Sequence, residues 1–245
     1  MQKKSFIIYQ SSFIHHKLMK ILHIETSSRN CSVAISDGEE LLCLCEEVSE
    51  NYKQSESLHT FVEWALEGAE ISLKDIEAVS LGKGPGSYTG LRIGAASAKG
   101  FCYGLKVPLI AVNSLETMIE PFLRQNYDVI IPLIDARRME VYCAVFDGNS
   151  GEMISGTEAK ILDEQSFTEL EGKKILFVGD GAKKAKEILQ LENADFVENI
   201  YPSAKYLIKK SVEKFNRQDF EDVAYFEPFY LKDFHGVKKK SPENL

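Results

Sequence analysis

Between Leu81 and Gly90 the chain reads Leu-Gly-Lys-Gly-Pro-Gly-Ser-Tyr-Thr-Gly. The apolar run Ile76–Leu81 leads into it, and a helical pattern over Leu91–Leu105 follows. Glycine tolerates positive φ and close backbone approach, so this spacing predicts a tight strand-to-helix turn. Ser87 and Thr89 are candidate caps for the helix. The first turn of a helix presents free N–H groups and the positive end of its dipole, which together hold an anion. Neither the P-loop nor the dinucleotide fingerprint has this spacing. On spacing alone, a ligand-free turn and an anion cradle at Gly84, Gly86, Ser87, Thr89 and Gly90 are equally open.

The pattern around the turn sets the fold class. Ile21–Thr26 and Cys31–Ser36 are short β-rich runs, Asp37-Gly38 marks a turn, and Leu41–Val48 is a third strand. Ser55–Gly68 reads as a helix, with Leu58, Phe61, Val62, Ala65 and Leu66 at three-to-four spacing. Ser72 and Asp75 give a capping signal before the next strand. With Val107–Val112 the order becomes βββαβαβ, that of an RNase H-like unit, a mixed sheet with helices packed on it. The pattern then restarts more weakly. Strands are expected at Val129–Ile134, Val141–Phe146, Met153–Leu162 and Ile175–Val178. Helices are expected within Asn113–Asn126, Gln165–Leu170, Ala182–Leu191 and Ser203–Asn216. The expectation is an α/β chain with domains at residues 19–118 and 119–245. The second is a reduced copy in topology rather than sequence, and its last segment, Pro228–Leu231, returns to the first.

Composition narrows the function classes. The chain has 245 residues, 44% hydrophobic and 27% charged, an ordinary globular balance. No stretch approaches the about 20 apolar residues that span a bilayer. A net charge of -8 opposes tight unaided nucleic-acid binding, leaving room only for a local basic patch. Lys238, Lys239 and Lys240 read as a solvated tail. Five cysteines do not suggest a disulfide framework, and Cys43 and Cys45 fall on one face of a strand as small core residues. Residues 1–18 read as a loose extension and a poor signal peptide, with Met19 as a natural start and His15-His16 incidental. A cytoplasmic protein is expected.

Five strings occur in a characteristic order: ILHIETS from Ile21, GPGSYTGLRIG from Gly84, AVNSLE from Ala111, DARRMEVY from Asp135 and PFYLK from Pro228. Together they resemble the TsaB family, from about Met19 to Lys232. The glycine-loop string is long and specific, and the others are weak singly but correctly spaced. The resemblance implies the actin/Hsp70-like (ASKHA) fold of two tandem RNase H-like units. It also implies a non-catalytic scaffold subunit that forms a heterodimer with TsaD and recruits the ATPase TsaE. That complex transfers threonylcarbamoyl from its adenylate to A37 of tRNAs reading ANN codons. The tRNA is then met through the complex, ATP and Mg²⁺ act at the level of the complex, and a homodimer is an option without TsaD.

The candidate site residues fall into two sets. The family's first strand ends D-T-S, but here Glu25 stands in the Asp position, which in ATP-using relatives helps hold Mg²⁺ and phosphates. Glu25 and Asp135 are candidates for a carboxylate pair across a cleft. The preferred alternative has Glu25 capping a turn and Asp135 pairing with Arg137 or Arg138. Gly179-Asp180-Gly181 is either an adenosine-contacting turn or a plain connector. The second set is a partner interface on the two N-domain helices, comprising Phe61, Trp64, Ala95, Ala96 and Lys99, where small residues permit close helix–helix approach. Two other classes compete. A stand-alone ATP-dependent kinase is opposed by Glu25 and the short second domain. A metallopeptidase is opposed because His59 is followed one turn later by Glu63 rather than a second His ligand, while His23 lies on a strand and His235 in the tail.

Overall fold

The computed structural model describes residues 5–8, 19–49 and 54–232. The first unit contains β1 (Ser5–Ile8), β2 (Lys20–Glu25), β3 (Asn30–Asp37), β4 (Glu40–Val48), α1 (Gln54–Gly68), β5 (Ala78–Gly82), α2 (Tyr88–Leu105) and β6 (Leu109–Val112). Its sheet runs β1-β4-β3-β2-β5-β6, with β5 and β6 parallel to β2 and the others antiparallel to their neighbours. Thus Ser5–Ile8, within the stretch read as an extension, forms an edge strand on β4. The remaining residues before 19, the Lys238–Lys240 run and His235 lie outside the described residues.

α3 (Ser114–Met118) closes the first unit, and the second follows with β7 (Val129–Asp135), β8 (Glu140–Asp147), β9 (Met153–Ile161), β10 (Ile175–Gly179), α4 (Ala182–Ile188), β11 (Ala194–Glu198) and α5 (Ile208–Asn216). Its sheet order is β11-β10-β7-β8-β9, the same arrangement around a central first strand as in the first unit. All five strands of the unit are present, so the reduction lies in the helices. A 3₁₀ turn at Thr168–Leu170 stands where the first unit has α1, and α4 spans seven residues against eighteen in α2. β11 had no clear sequence signal, because its ADFVE string carries acids at two of five positions. The stretch Asn113–Asn126, read as a helix and connector, holds a helix that stops at Met118 and gives way to a 3₁₀ turn with Pro121, a residue that cannot donate to a continuing helix.

The two units exchange their last helices. On the first sheet, α1 and α2 cover the face bearing Leu22, Ile24, Val33, Cys43 and Cys45. The opposite face, with Ile21, Ala78, Ile110 and Val112, is covered by Leu207 and by Val212 of α5. In return, Leu115 and Met118 of α3 pack on Ile130, Ile134, Phe146 and Val178 of the second sheet. Neither sheet can bury both faces without the other unit, so the hydrophobic term is shared across the seam. A segment near the C-terminal end also returns to the first unit. Glu221 pairs with Leu109, Phe226 joins the first core, and the Phe229 N–H donates to the Lys83 carbonyl at 2.8 Å.

Under α5 the seam is polar. His23 on β2 is fully buried, with Nε2 at 2.8 Å from Ser36 Oγ and Nδ1 at 3.5 Å from Ser211 Oγ. Ser211 Oγ in turn lies 2.6 Å from Ser80 Oγ and donates to the Leu207 carbonyl at 2.7 Å. Burial lowers the His23 pKa to about 3, against 6.5 when solvated. Between those values the unfolded chain holds a proton that the folded chain does not, so His23 costs stability as pH falls below 6.5. The cost reaches about 2 kcal/mol by pH 5. Thermal melts of the wild type and His23→Gln between pH 7 and 5 should show the steeper loss in the wild type. Parallel losses would mean His23 is solvated or already charged in the native state.

Candidate functional site

The glycine loop is shaped by the end of β2. The Ser87 N–H donates to the Ser27 carbonyl at 2.6 Å, and Thr26 Oγ1 donates to the Gly90 carbonyl at 2.8 Å. These bonds draw the first turns of α2 onto β2 so closely that a Cβ at Gly86 would overlap the Ser27 carbonyl, and one at Gly90 the Thr26 carbonyl. Ser87 is the N-cap of α2, its Oγ accepting from the Gly90 N–H at 3.4 Å. The glycines are thus explained by backbone contact within the unit, before any ligand is considered.

Glu25 sits behind this loop and is fully buried. Its Oε1 accepts from the Ser27 N–H at 2.7 Å, and its Oε2 accepts from Ser114 Oγ at 2.9 Å. Ser114 Oγ also accepts from the Gly84 N–H at 3.2 Å, while the Ser114 N–H donates to the Gly84 carbonyl at 2.9 Å. Glu25 therefore ties the end of β2, the glycine loop and the start of α3 into one unit. Burial raises its pKa, and hydrogen bonds from Ser27 and Ser114 oppose that rise. The side chain fits only because Gly82 has no Cβ to overlap it.

Between the two units lies a cleft of about 270 Å³. Ser27, Ser28 and the loop from Gly86 to Thr89 form its first-unit wall. The second-unit wall includes Asp135, Arg137, Tyr142 and Asp180, and Tyr230 and Lys232 border it from the returning segment. Of the expected ligand residues, Gly86, Ser87, Thr89 and Asp135 line this cleft, whereas Glu25, Gly84 and Gly90 do not. Glu25 and Asp135 therefore form no carboxylate pair across it. Glu25 is turned away onto Ser27 and Ser114. Asp135 accepts from Lys184 Nζ at 2.5 Å and from the Arg137 backbone N–H at 2.7 Å, rather than from an arginine side chain.

Asp180 Oδ1 accepts from the Asp135 N–H at 2.8 Å. Burial raises the Asp180 pKa and the negative Asp135 adds to the rise, while the bond from the Asp135 N–H and the charges of Arg29 and Lys184 oppose it. Tyr88 and Tyr230 meet across the cleft mouth with ring centroids 5.0 Å apart, and Lys232 Nζ lies 5.7 Å from the Tyr142 ring while pairing with Glu140. The cleft thus offers hydroxyls, tyrosines and cations around two carboxylates, Asp135 and Asp180, an inventory suited to binding. Ser28, Tyr142 and the neighbouring Tyr230 and Lys232 come from three separate segments, so no single sequence window brings them together.

The expected interface residues also divide. Phe61 and Ala95 are buried in the first core, because the stripe they belong to is the one that faces the sheet. Trp64 is half-buried beside Phe61, and Ala96 is exposed on the outer side of α2. Lys99 Nζ donates to the carbonyls of Ala224 at 3.0 Å and Phe226 at 3.2 Å, so it holds the returning segment. His59 contacts Ser97 Oγ at 3.2 Å. Among the described residues no group of three His, Cys, Asp or Glu side chains is placed to hold a metal ion, and no helix is long and apolar enough to cross a membrane.

Comparison with known proteins places this geometry in a family. The family described as "TsaD: tRNA N6-adenosine threonylcarbamoyltransferase" matches residues 46–234. The tRNA threonylcarbamoyladenosine biosynthesis protein TsaB of Escherichia coli K12 is 31% identical over 238 residues, covering 90% of this chain and 98% of that protein. The TsaB protein of Bacillus subtilis is 28% identical over 70% of this chain and 76% of its own length. YeaZ from Pseudomonas aeruginosa has the same fold, with a TM-score of 0.74, 24% identity, and coverage of 87% of this chain and all of that one.

The two kinds of glycine separate by substitution. Gly90→Ala forces a Cβ onto the Thr26 carbonyl and should cost about 1–3 kcal/mol. At Gly100, also in α2, an added Cβ meets nothing within 4 Å, so Gly100→Ala should stabilise the isolated chain by up to about 1 kcal/mol through helix propensity. Chemical denaturation measures both, and a Gly90→Ala variant as stable as wild type would contradict the packing described for the loop.

Proposed function

The chain belongs to the TsaB family, a branch of the wider family described as TsaD, and from that premise we propose that it acts as the scaffold partner of TsaD in tRNA threonylcarbamoyladenosine synthesis. In this reading the two chains form a heterodimer that engages the ATPase TsaE and serves A37 of ANN-decoding tRNAs. The chemistry resides in TsaD, ATP and Mg²⁺ act at the level of the complex, and the site of action is the cytoplasm. Gly86, Ser87 and Thr89 are ligand contacts on one wall of the cleft, with Gly84, Gly90 and Glu25 shaping that wall from behind.

The observation that carries the partner reading is the outer side of α2. Tyr103 there is 84% exposed, beside a stripe of Ala96, Gly100 and Gly104. An added Cβ at Gly100 or Gly104 meets nothing within 4 Å, so another helix backbone has room to approach closely. Half-buried Trp64 on α1 adds the kind of large aromatic anchor that carries binding energy. The face therefore comprises Trp64, Ala96, Gly100, Tyr103 and Gly104, with Phe61 and Ala95 supporting it from the core.

The double variant Trp64→Ala/Ala96→Glu should keep its fold by circular dichroism and lose co-purification with TsaD. Retained co-purification would remove this face as the interface. Reconstituted nucleoside formation should require this chain, and equal product from TsaD and TsaE alone would end the scaffold reading. ATP turnover by the isolated chain at the rate of the full complex would instead favour a stand-alone kinase.

A further inference from the structure

The turn between β7 and β8 carries two adjacent arginines in the left-handed conformation, Arg137 at φ 71° and Arg138 at φ 53°. Tight hairpin turns that need two positive φ values ordinarily use Asn or Gly there, so bulky side chains at both positions are held against a local preference. What holds them is visible. Lys184 Nζ from α4 reaches under the turn to Asp135 Oδ1 at 2.5 Å, the Arg138 carbonyl at 2.9 Å and the Glu140 carbonyl at 2.7 Å. The Arg137 N–H bonds Asp135 Oδ1, and the Glu140 N–H closes on the Arg137 carbonyl at 3.2 Å. Lys184 is consumed inside the turn, while both arginines are exposed. Among the described residues neither guanidinium takes part in a hydrogen bond or ion pair, and Arg137 borders the cleft.

We propose that this hairpin tip and the cleft beside it bind single-stranded RNA, with backbone phosphates on Arg137 and Arg138 and one unstacked base among Tyr88, Tyr142 and Tyr230. The choice of RNA over another polyanion rests on the reading of the chain as a subunit of a tRNA-modifying complex. The division of the ligand rests on the geometry. Asp135 and Asp180 line the cleft with carboxylates that accept from the N–H edge of a base, while Arg137 and Lys232 line it as cations. At about 270 Å³ the cleft falls below the about 300–1,000 Å³ typical of small-molecule sites. It has room for a single base tethered to a strand outside. Tyrosine faces beside guanidinium groups are the recurring equipment for unpaired bases. The net charge of -8 makes this a local attraction, which orients the RNA without strong general binding.

The test is titration of a fluorescent, unmodified anticodon stem–loop RNA from an ANN-decoding tRNA, with the full chain alone and in complex with TsaD, at several salt concentrations. Arg137→Ala/Arg138→Ala should weaken RNA binding roughly tenfold and flatten the logarithmic salt slope by about 1.4, two single-strand phosphate contacts. Tyr142→Ala should weaken it by a similar factor while Tyr142→Phe retains it, because stacking needs the ring and not the hydroxyl. TsaD co-purification should be unchanged in every variant. An unchanged affinity and slope in the double arginine variant would overturn the proposal, as would polyglutamate competing as well as RNA. Loss of TsaD from the arginine variant would make the tip a protein contact and overturn it as well. If TsaD fails to bind even the wild type, the scaffold reading falls by itself, and the titrations of the chain alone still decide the RNA question.

Discussion

The contact on which the rest of the molecule depends is the seating of the first turns of α2 on the end of β2. Two backbone-level bonds, Ser87 N–H to Ser27 carbonyl and Thr26 Oγ1 to Gly90 carbonyl, bring a helix and a strand closer than any side chain at Gly86 or Gly90 would allow. Behind them Glu25 collects bonds from Ser27 and Ser114 in a site that excludes water. A buried polar group is tolerable only when its partners are fixed, so Glu25 fixes them. Glu25, Ser27, Ser114 and the loop glycines thereby join β2, the loop and α3.

That junction also decides how the two units meet. Ser114 begins α3, whose apolar side covers the second sheet, while α5 from the second unit covers the first. The cleft is what remains between units bound together by exchanged helices. Its walls are therefore built from the ends of β2 and β7, the loop before α2, the turn before α4, and the returning segment with Tyr230 and Lys232. Lys99 steadies that segment through two carbonyls, so the outer helix pair and the cleft mouth are mechanically linked through one lysine.

The proposed partner face and the cleft share α2, one at its outer side and the other at its N-terminus. The chain belongs to the family of tRNA threonylcarbamoyladenosine biosynthesis proteins TsaB, and the scaffold role proposed above would use both. The overall acidity keeps either contact dependent on shape and local charge rather than on long-range attraction.

Much of this was legible along the chain, and the exceptions share one cause. Strand and helix periodicity located most of both sheets, the glycine string located the strand-to-helix turn, and residue type left Ser87 and Thr89 as candidate caps, of which the structure uses Ser87. These are local properties, dictated by backbone sterics and by spacing of apolar residues within a dozen positions. The sequence by itself could not decide that Glu25 turns inward to Ser114, 89 residues away. Nor could it decide that Asp135 pairs with Lys184 from α4, or that Phe61 and Ala95 face the core while Trp64 and Ala96 stay on the outer side. Those outcomes depend on which distant backbone arrives beside each side chain. Burial and pairing are set by the exchange of helices and the return of the last segment, and only the tertiary structure fixes them.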